Sequence, residues 1–294
     1  IKAGNYSEVW PSMKTVDLQS GLGAARTNDG TLRSFTSACG QCFFRGHRLG
    51  EDVKGDYFIC EPVGRLVRRS KVKYLDSGHI ELSNLYEEKS DEFITSSDGN
   101  FRPVNTYTGP DGCLYVVDMY RGVIQEKSFM TPYLKQEIKR LNYDKNIGRG
   151  RVYRVRRNGV SLGKKPDLLN AKPEELVTFL SHSNGWWRDM AQNIIVSRKL
   201  VEVAPALEKM LLDDPMPLAR LHALWTLRGL SKLDKDIVKS ALQDDDDRIV
   251  CAALRVINWP KSEYSYLEKF IDGASPEVVA HIILALGKNF YKHN

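Results

Sequence analysis

The apolar residues of this chain change their spacing near residue 160, and that change limits what the chain can fold into more than any other feature. Up to about residue 157, short apolar runs are separated by Gly, Asp, Asn and Pro, at 31–35, 56–60, 64–68, 92–95, 113–118 and 150–155. Runs of that length between turn signals read as β-strands. Two helical interruptions are expected, at 132–141 and in the 46–53 region. Residues 158–166, basic and glycine-containing, read as a linker. Beyond it the spacing is helical and comes in pairs: 173–181 with 185–197, 203–212 with 217–230, 234–243 with 246–258, and 264–271 with 276–288.

The second helix of each pair opens in a similar way, with Arg188-Asp189-Met190-Ala191, Arg220-Leu221-His222-Ala223, Arg248-Ile249-Val250-Cys251 and Glu277-Val278-Val279-Ala280. Recurrence at roughly 30 residues marks a helical solenoid of HEAT type, in which each pair buries its apolar face on its neighbours. The organisation expected is therefore a β region over 1–157, a linker over 158–166 and helical repeats over 167–294.

Composition removes several function classes. The 294 residues are 42% hydrophobic with a mean hydropathy of −0.39, ordinary for a globular protein. No run approaches about 18 apolar residues, so no membrane span is expected, and the N-terminus lacks the sections of a signal peptide. The start at Ile1 reads as a processed product or a fragment. The net charge of +6, from 43 basic and 37 acidic residues, is spread along the chain, so no nucleic-acid partner is expected.

Of the five cysteines, only Cys39 and Cys42 have a suggestive spacing, and Phe43 follows where covalent haem attachment requires histidine. No c-haem site is expected. No second ligand pair at zinc spacing accompanies them. Buried strand residues or a local disulfide is the plainer reading of the pair.

The run Gly109-Pro110-Asp111-Gly112 followed by Cys113-Leu114-Tyr115-Val116-Val117-Asp118 combines a tight turn with an apolar strand, the signature of a β-propeller blade. About 150 residues hold only two to three blades of about four strands, so a partial propeller is expected, with the rest of the ring upstream.

Several motifs carry a family likeness: Phe101-Arg102-Pro103-Val104-Asn105, the 109–122 run, Glu61-Pro62-Val63-Gly64-Arg65-Leu66-Val67-Arg68, Gly150-Arg151-Val152-Tyr153-Arg154, Ser183-Asn184-Gly185-Trp186-Trp187-Arg188-Asp189 and the 220–230 stretch. Through them the chain resembles the planctomycete-type "membrane-bound dehydrogenase" proteins, which join a glucose/sorbosone dehydrogenase-like β-propeller to HEAT-like repeats and a c-type haem domain. The fold the resemblance implies is a β + α multidomain chain, the last two to three blades of a partial β-propeller followed by a HEAT-like α-solenoid. The activity it implies is that of a periplasmic or cell-envelope quinoprotein-like dehydrogenase, an oxidoreductase acting on CH–OH or aldehyde groups of a sugar. Pyrroloquinoline quinone and Ca²⁺ are the implied cofactors. A c-type cytochrome domain outside this chain is the implied electron acceptor, with membrane association through regions outside it. The alternative is a non-catalytic module that binds carbohydrate or a protein partner.

By the same resemblance Arg102 falls where the family places a cofactor-binding arginine, because a tricarboxylate needs fixed cations. Val104 and the 61–64 segment stand where further cations would be. Read from its surroundings, Arg102 is expected instead to pair with Asp98 or Asp118 and pin a strand. Asp118 and Arg121 could orient substrate, or Asp118 could cap the turn with Arg121 holding it. Glu61 could bind a sugar hydroxyl or Ca²⁺, or pair with Arg65 or Arg68. His47 and His79 lie in no motif, so the general base is expected upstream. The acidic run Asp244 to Asp247 lacks EF-hand spacing and reads as turn and cap residues, and no metal site is expected. Of Trp186, Trp187 and Trp225, at least two read as core between repeats, with a sugar-stacking platform as the alternative.

Overall fold

Pro110 and Gly112 turn the chain between two strands, with Gly112 at φ +79°, a backbone that side-chain-bearing residues rarely adopt. Its N–H donates to the Gly109 carbonyl at 3.0 Å, and the Gly109 N–H donates to the Cys113 carbonyl at 2.8 Å. A computed structural model describes this protein over residues 8–18, 25–75, 79–163, 165–257 and 259–290. The chain divides into two units at Lys164/Lys165, within the 158–166 stretch.

The first unit contains two antiparallel sheets. Strands β1 (Cys39–Phe43), β2 (Tyr57–Glu61), β3 (Leu66–Tyr74) and β4 (Ile80–Asn84) pair in chain order, and β5 (Ile94–Thr95) also pairs with β3, at Leu66 and Val67. The two partners share one edge of β3, since β4 takes Ser70 to Tyr74. The second sheet is β6 (Pro103–Thr108), β7 (Leu114–Asp118) and β8 (Arg151–Val155), in that order. Along β7, buried Leu114, Val116 and Asp118 alternate with half-buried Tyr115 and Val117, the two-residue period of a strand with one face inward. Strand β6 lies against β1 and β2, and Phe44, Phe58, Cys60, Val67, Leu114 and Val116 form the core of this contact.

Helix α1 (Pro132–Leu141) follows the rules for helix ends. The Thr131 hydroxyl accepts from the Leu134 N–H at 3.2 Å, Pro132 occupies the first turn, and Asn142 ends the helix at φ 55°. It buries Leu134 and Ile138.

These findings correct the expected partial β-propeller followed by a HEAT-like α-solenoid. The described residues form two small open sheets, of five and three strands, and nine α-helices, with no blade and no closed ring among them. The physical reason lies in pairing. Strand spacing in a sequence does not say which edges join, and here β3 serves β2 on one edge and divides the other between β4 and β5, where a blade is a simple up-and-down sheet. The 46–53 region is a series of bends and turns, not a helix, and 31–35 makes only isolated bridges, Glu8 with Ser34 and Arg26 with Leu32.

The second unit holds α2 (Pro173–Phe179), α3 (Gly185–Ser197), α4 (Ala204–Asp213), α5 (Pro217–Gly229), α6 (Lys235–Ala241), α7 (Asp247–Val256), α8 (Tyr264–Glu268) and α9 (Pro276–Phe290). The expected end of one helix at Asn258 lies outside the described residues. Helices α3, α5, α7 and α9 each touch the next, and α2, α4, α6 and α8 each touch the helix that follows. Their core is aliphatic, including Leu176, Leu180, Ile195, Leu207, Leu224 and Leu227. The turns are held by polar side chains. Arg188 Nη1 donates to the His182 carbonyl at 2.6 Å, and Arg220 Nη1 donates to the Asp214 carbonyl at 2.8 Å, each six residues back. Asp244 accepts both Arg220 Nε and Nη2 at 2.9 Å, and Asp246 caps α7 through the Arg248 N–H at 3.0 Å. The acidic run is thus a set of turn and cap residues. Among the described residues no helix is long and apolar enough to cross a membrane.

Candidate functional site

Three separate pieces of the β unit converge on one guanidinium. Arg102 stands at the entry to β6 and is fully buried. Its Nε donates to the Arg121 carbonyl at 2.9 Å, Nη1 to the carbonyls of Pro62 at 2.9 Å and Val63 at 3.5 Å, and Nη2 to the Gly122 carbonyl at 2.8 Å and to Asp17. An arginine side chain has five N–H donors, and all five have an acceptor inside the protein. Burial lowers the Arg102 pKa, Asp17 works against that, and the neighbouring charge of Arg65 adds to it.

Asp17 is shared. Its other oxygen accepts from Arg65 Nη2 at 2.6 Å. Burial pushes the Asp17 carboxyl up, but the charges of Arg102 and Arg65 and their hydrogen bonds outweigh it and hold the carboxyl below its ordinary value. Arg65 itself adopts φ 59° in the turn between β2 and β3, which side-chain-bearing residues reach at a cost of about 1 kcal/mol or more. Its side chain is pinned there by Asp17, by the Gly99 carbonyl at 3.1 Å and by the Val63 carbonyl at 3.4 Å.

The other expected residues are brought close to this knot. Asp118 Oδ1 accepts from the Arg102 N–H at 2.8 Å and the Tyr120 N–H at 2.7 Å, closing the turn after β7, while Oδ2 is buried without a hydrogen-bond partner among the described residues. Arg121 contributes its carbonyl to Arg102, and its half-buried side chain makes no ion pair among the described residues. Asp98, weighed as a partner of Arg102, instead accepts from the Tyr120 hydroxyl at 2.8 Å. Glu61 is fully buried and accepts the N–H groups of Thr36 at 3.1 Å, Ser37 at 2.9 Å and Val63 at 3.2 Å, besides the Thr36 hydroxyl. Burial pushes its carboxyl up, against the pull of those donors. Arg68 pairs with Glu92, its Nε donating at 3.0 Å, and lies 4.8 Å from the Phe35 ring centre.

Over this frame lies a cavity of about 310 Å³. Its polar wall is Asp17, Thr36, Ser37, Arg102 and Gln125. Its apolar wall is Leu18, Val63, Val123, Ile124 and two residues of α1, Leu134 and Ile138. Of the expected site residues, only Arg102 reaches this wall. Asp17, which ties the site together, carries no motif in the sequence: its partner Arg102 is 85 residues away. The one available signal was a carboxylate flanked by apolar Val16 and Leu18, a setting in which a charge needs a counter-charge.

The fit of the implied cofactors follows from these contacts. A quinone tricarboxylate at Arg102 would compete with five internal acceptors, and Glu61 is already committed to backbone donors, so the residues present do not fit that group here. In the helical unit, Cys251 of α7 with Glu277 and His281 of α9 bring candidate ligand atoms within 4.8 Å of one another. His281 Nε2, however, accepts from Arg255 Nε at 3.0 Å, which occupies the lone pair a metal would use and sets a cation beside it.

The first unit is thus a small antiparallel β module whose turns are locked by buried arginines beneath a half-polar cavity. The chain belongs to the family described as a domain of unknown function, DUF7133, whose model matches residues 2–159. No curated protein and no solved structure matches it.

Proposed function

We propose that the β unit is a binding module for a small neutral polyhydroxylated ligand, of which a sugar ring is the best example. The observation that carries this reading is the division of the cavity into a hydrogen-bonding wall and an aliphatic wall. A sugar ring offers hydroxyls at its edge and C–H groups on its face, so it can satisfy both walls at once. A volume of about 310 Å³ is at the small end of ligand sites. Charge favours a neutral ligand, because Asp17 already pairs with Arg102 and all of the Arg102 donors are taken, leaving none for an anion. The Ser37 hydroxyl and the Gln125 amide remain for the ligand, since only the Ser37 backbone is engaged by Glu61.

The test is calorimetric titration of the full chain with a panel of neutral monosaccharides, beside the Ser37→Val and Gln125→Leu variants. Saturable binding with a Kd on the order of 1 mM, weakened tenfold or more in either variant at unchanged Tm, is expected. Absence of saturation across the panel would sink the reading. Tight binding of pyrroloquinoline quinone instead would restore an oxidoreductase.

A further inference from the structure

Strand β1 carries an irregularity that gathers three thiols on one face of the sheet. Cys39 pairs with Cys60 and Cys42 pairs with Phe58, so three steps along β1 match two along β2. In a regular strand, residues three apart point to opposite faces. The extra residue returns Cys42 to the side of Cys39. Cys60 stands opposite Cys39 and so shares its side, as does Phe58 two residues earlier.

The bulge is held from outside. Gly40 has φ +50°, and a Cβ there would lie 1.8 Å from the Val104 carbonyl oxygen of β6. Thr106 Oγ1, also on β6, donates to the Gly40 carbonyl at 3.1 Å. Cys60 is buried in the apolar core of the sheet contact, and Cys39 and Cys42 pack against that core half-exposed. Burial pushes the thiol of Cys60 up, and Cys39 and Cys42 add to the shift, which places all three sulfurs in one neighbourhood.

Register separates the three pairings. Directly opposed residues of an antiparallel pair have Cα atoms about 4.5–5.5 Å apart, within the roughly 4.4–6.8 Å that a disulfide spans. That describes Cys39 with Cys60. Cys42 stands diagonal to Cys60, at about 7–8 Å, and three steps of strand separate it from Cys39, about 10 Å at the usual rise. The three sulfurs are not among the groups whose ligand atoms lie within 4.8 Å of one another, which disfavours a shared metal ion.

We infer that Cys39 and Cys60 are the site of a cross-strand disulfide, formed by exchange with a small-molecule disulfide, with Cys42 left as a thiol. Cys39, the more exposed of the pair, attacks the small disulfide as its thiolate. That breaks the small S–S bond, releases one small thiol and leaves a mixed disulfide on Cys39. Cys60, as its thiolate, then attacks the Cys39 sulfur, forms the Cys39–Cys60 bond and releases the second small thiol. Two protein thiol protons leave with the two small thiols, and one disulfide is exchanged for another. The bond joins β1 to β2 across the 40–59 loop.

The experiment treats the full chain with oxidised glutathione, blocks remaining thiols with iodoacetamide and reads the intact mass. The native chain and Cys42→Ser should each lose two hydrogens and gain no glutathione, while Cys39→Ser and Cys60→Ser should not form the bond. A tryptic digest of the native chain without reductant keeps the test independent of variant folding: peptide 34–45 should be linked to peptide 55–65, with alkylated Cys42 in the first. A native chain that loses no hydrogens, an unresolved glutathione adduct, a link through Cys42, a link that survives in Cys39→Ser, or a disulfide-joined dimer would each overturn the assignment.

Discussion

In the β unit, Arg65, Arg68 and Arg102 are among the largest fully buried side chains, whereas the largest fully buried side chains of the helical unit are aliphatic, Leu176, Leu180, Ile195 and Leu207. The arginines of the two units also choose different partners. Arg188 and Arg220 each reach a carbonyl six residues back, a contact that forms with the local turn, and Arg220 adds a single carboxylate, Asp244, 24 residues on. Arg65, Arg68 and Arg102 pair with carboxylates 48, 24 and 85 residues distant. The arginines of the helical unit mostly brace local turns, while in the β unit Asp17 joins two arginines 48 and 85 residues along the chain.

Arg102→Met gives the sharpest test of that contrast. Removing one member of a buried ionic network leaves its partners uncompensated and costs about 3–5 kcal/mol. The loss should appear as lowered hydrogen-exchange protection across β2, β3, β6 and β7. A variant more stable than the native chain would mean that the knot does not support stability. Leu227→Ala should cost about 2–5 kcal/mol through the cavity left in an aliphatic core, with lost protection confined to α4, α5 and α7. If it also loosened the β strands, the two units would not be independent. Asp246→Ala removes the cap of α7 and should cost about 0.5–2 kcal/mol, read as a small drop in denaturation midpoint.

The smallest effect is expected in the acid slope of stability. The Asp17 pKa is lowered in the folded state, so its contribution is complete above the unfolded value of about 3.9 and is lost as pH falls through the folded one. Denaturant titrations from pH 5 downward should show a shallower decline in Asp17→Asn than in the native chain. Glu61 acts in the opposite sense. Its raised pKa means that the folded state holds the proton more firmly, and stability falls as pH rises from about 4.3 through the folded value.

The same contrast decides what the sequence made legible. Helix α1 is readable because Thr131, Pro132 and Asn142 are its own end signals. The helices of the second unit are readable because their period is local. The turn at 109–112 is readable from Pro110 and Gly112. Strand pairing is not, since nothing in Leu66–Tyr74 says that one edge will be divided between β4 and β5. Among the site residues, Arg102 and Asp118 are adjacent in space, joined through the Arg102 N–H, while Asp17 offers only its apolar neighbours as a signal, because its role depends on charges far along the chain. Glu61 was weighed as a partner of Arg65 or Arg68, and both arginines chose other carboxylates while Glu61 took backbone donors.

The five-donor arginine also bears on the order of assembly. Its acceptors lie 85, 40, 39, 20 and 19 residues from it in sequence, so several chain closures must precede its burial, each with an entropic cost. A planar group with fixed directions gains little from one or two of them. Its contacts therefore belong to the native side of the folding barrier, and Arg102→Met should speed unfolding while leaving the folding rate nearly unchanged. Seen through rates, Arg102 works as a latch: its contribution is to the lifetime of the folded β unit more than to the speed with which that unit forms.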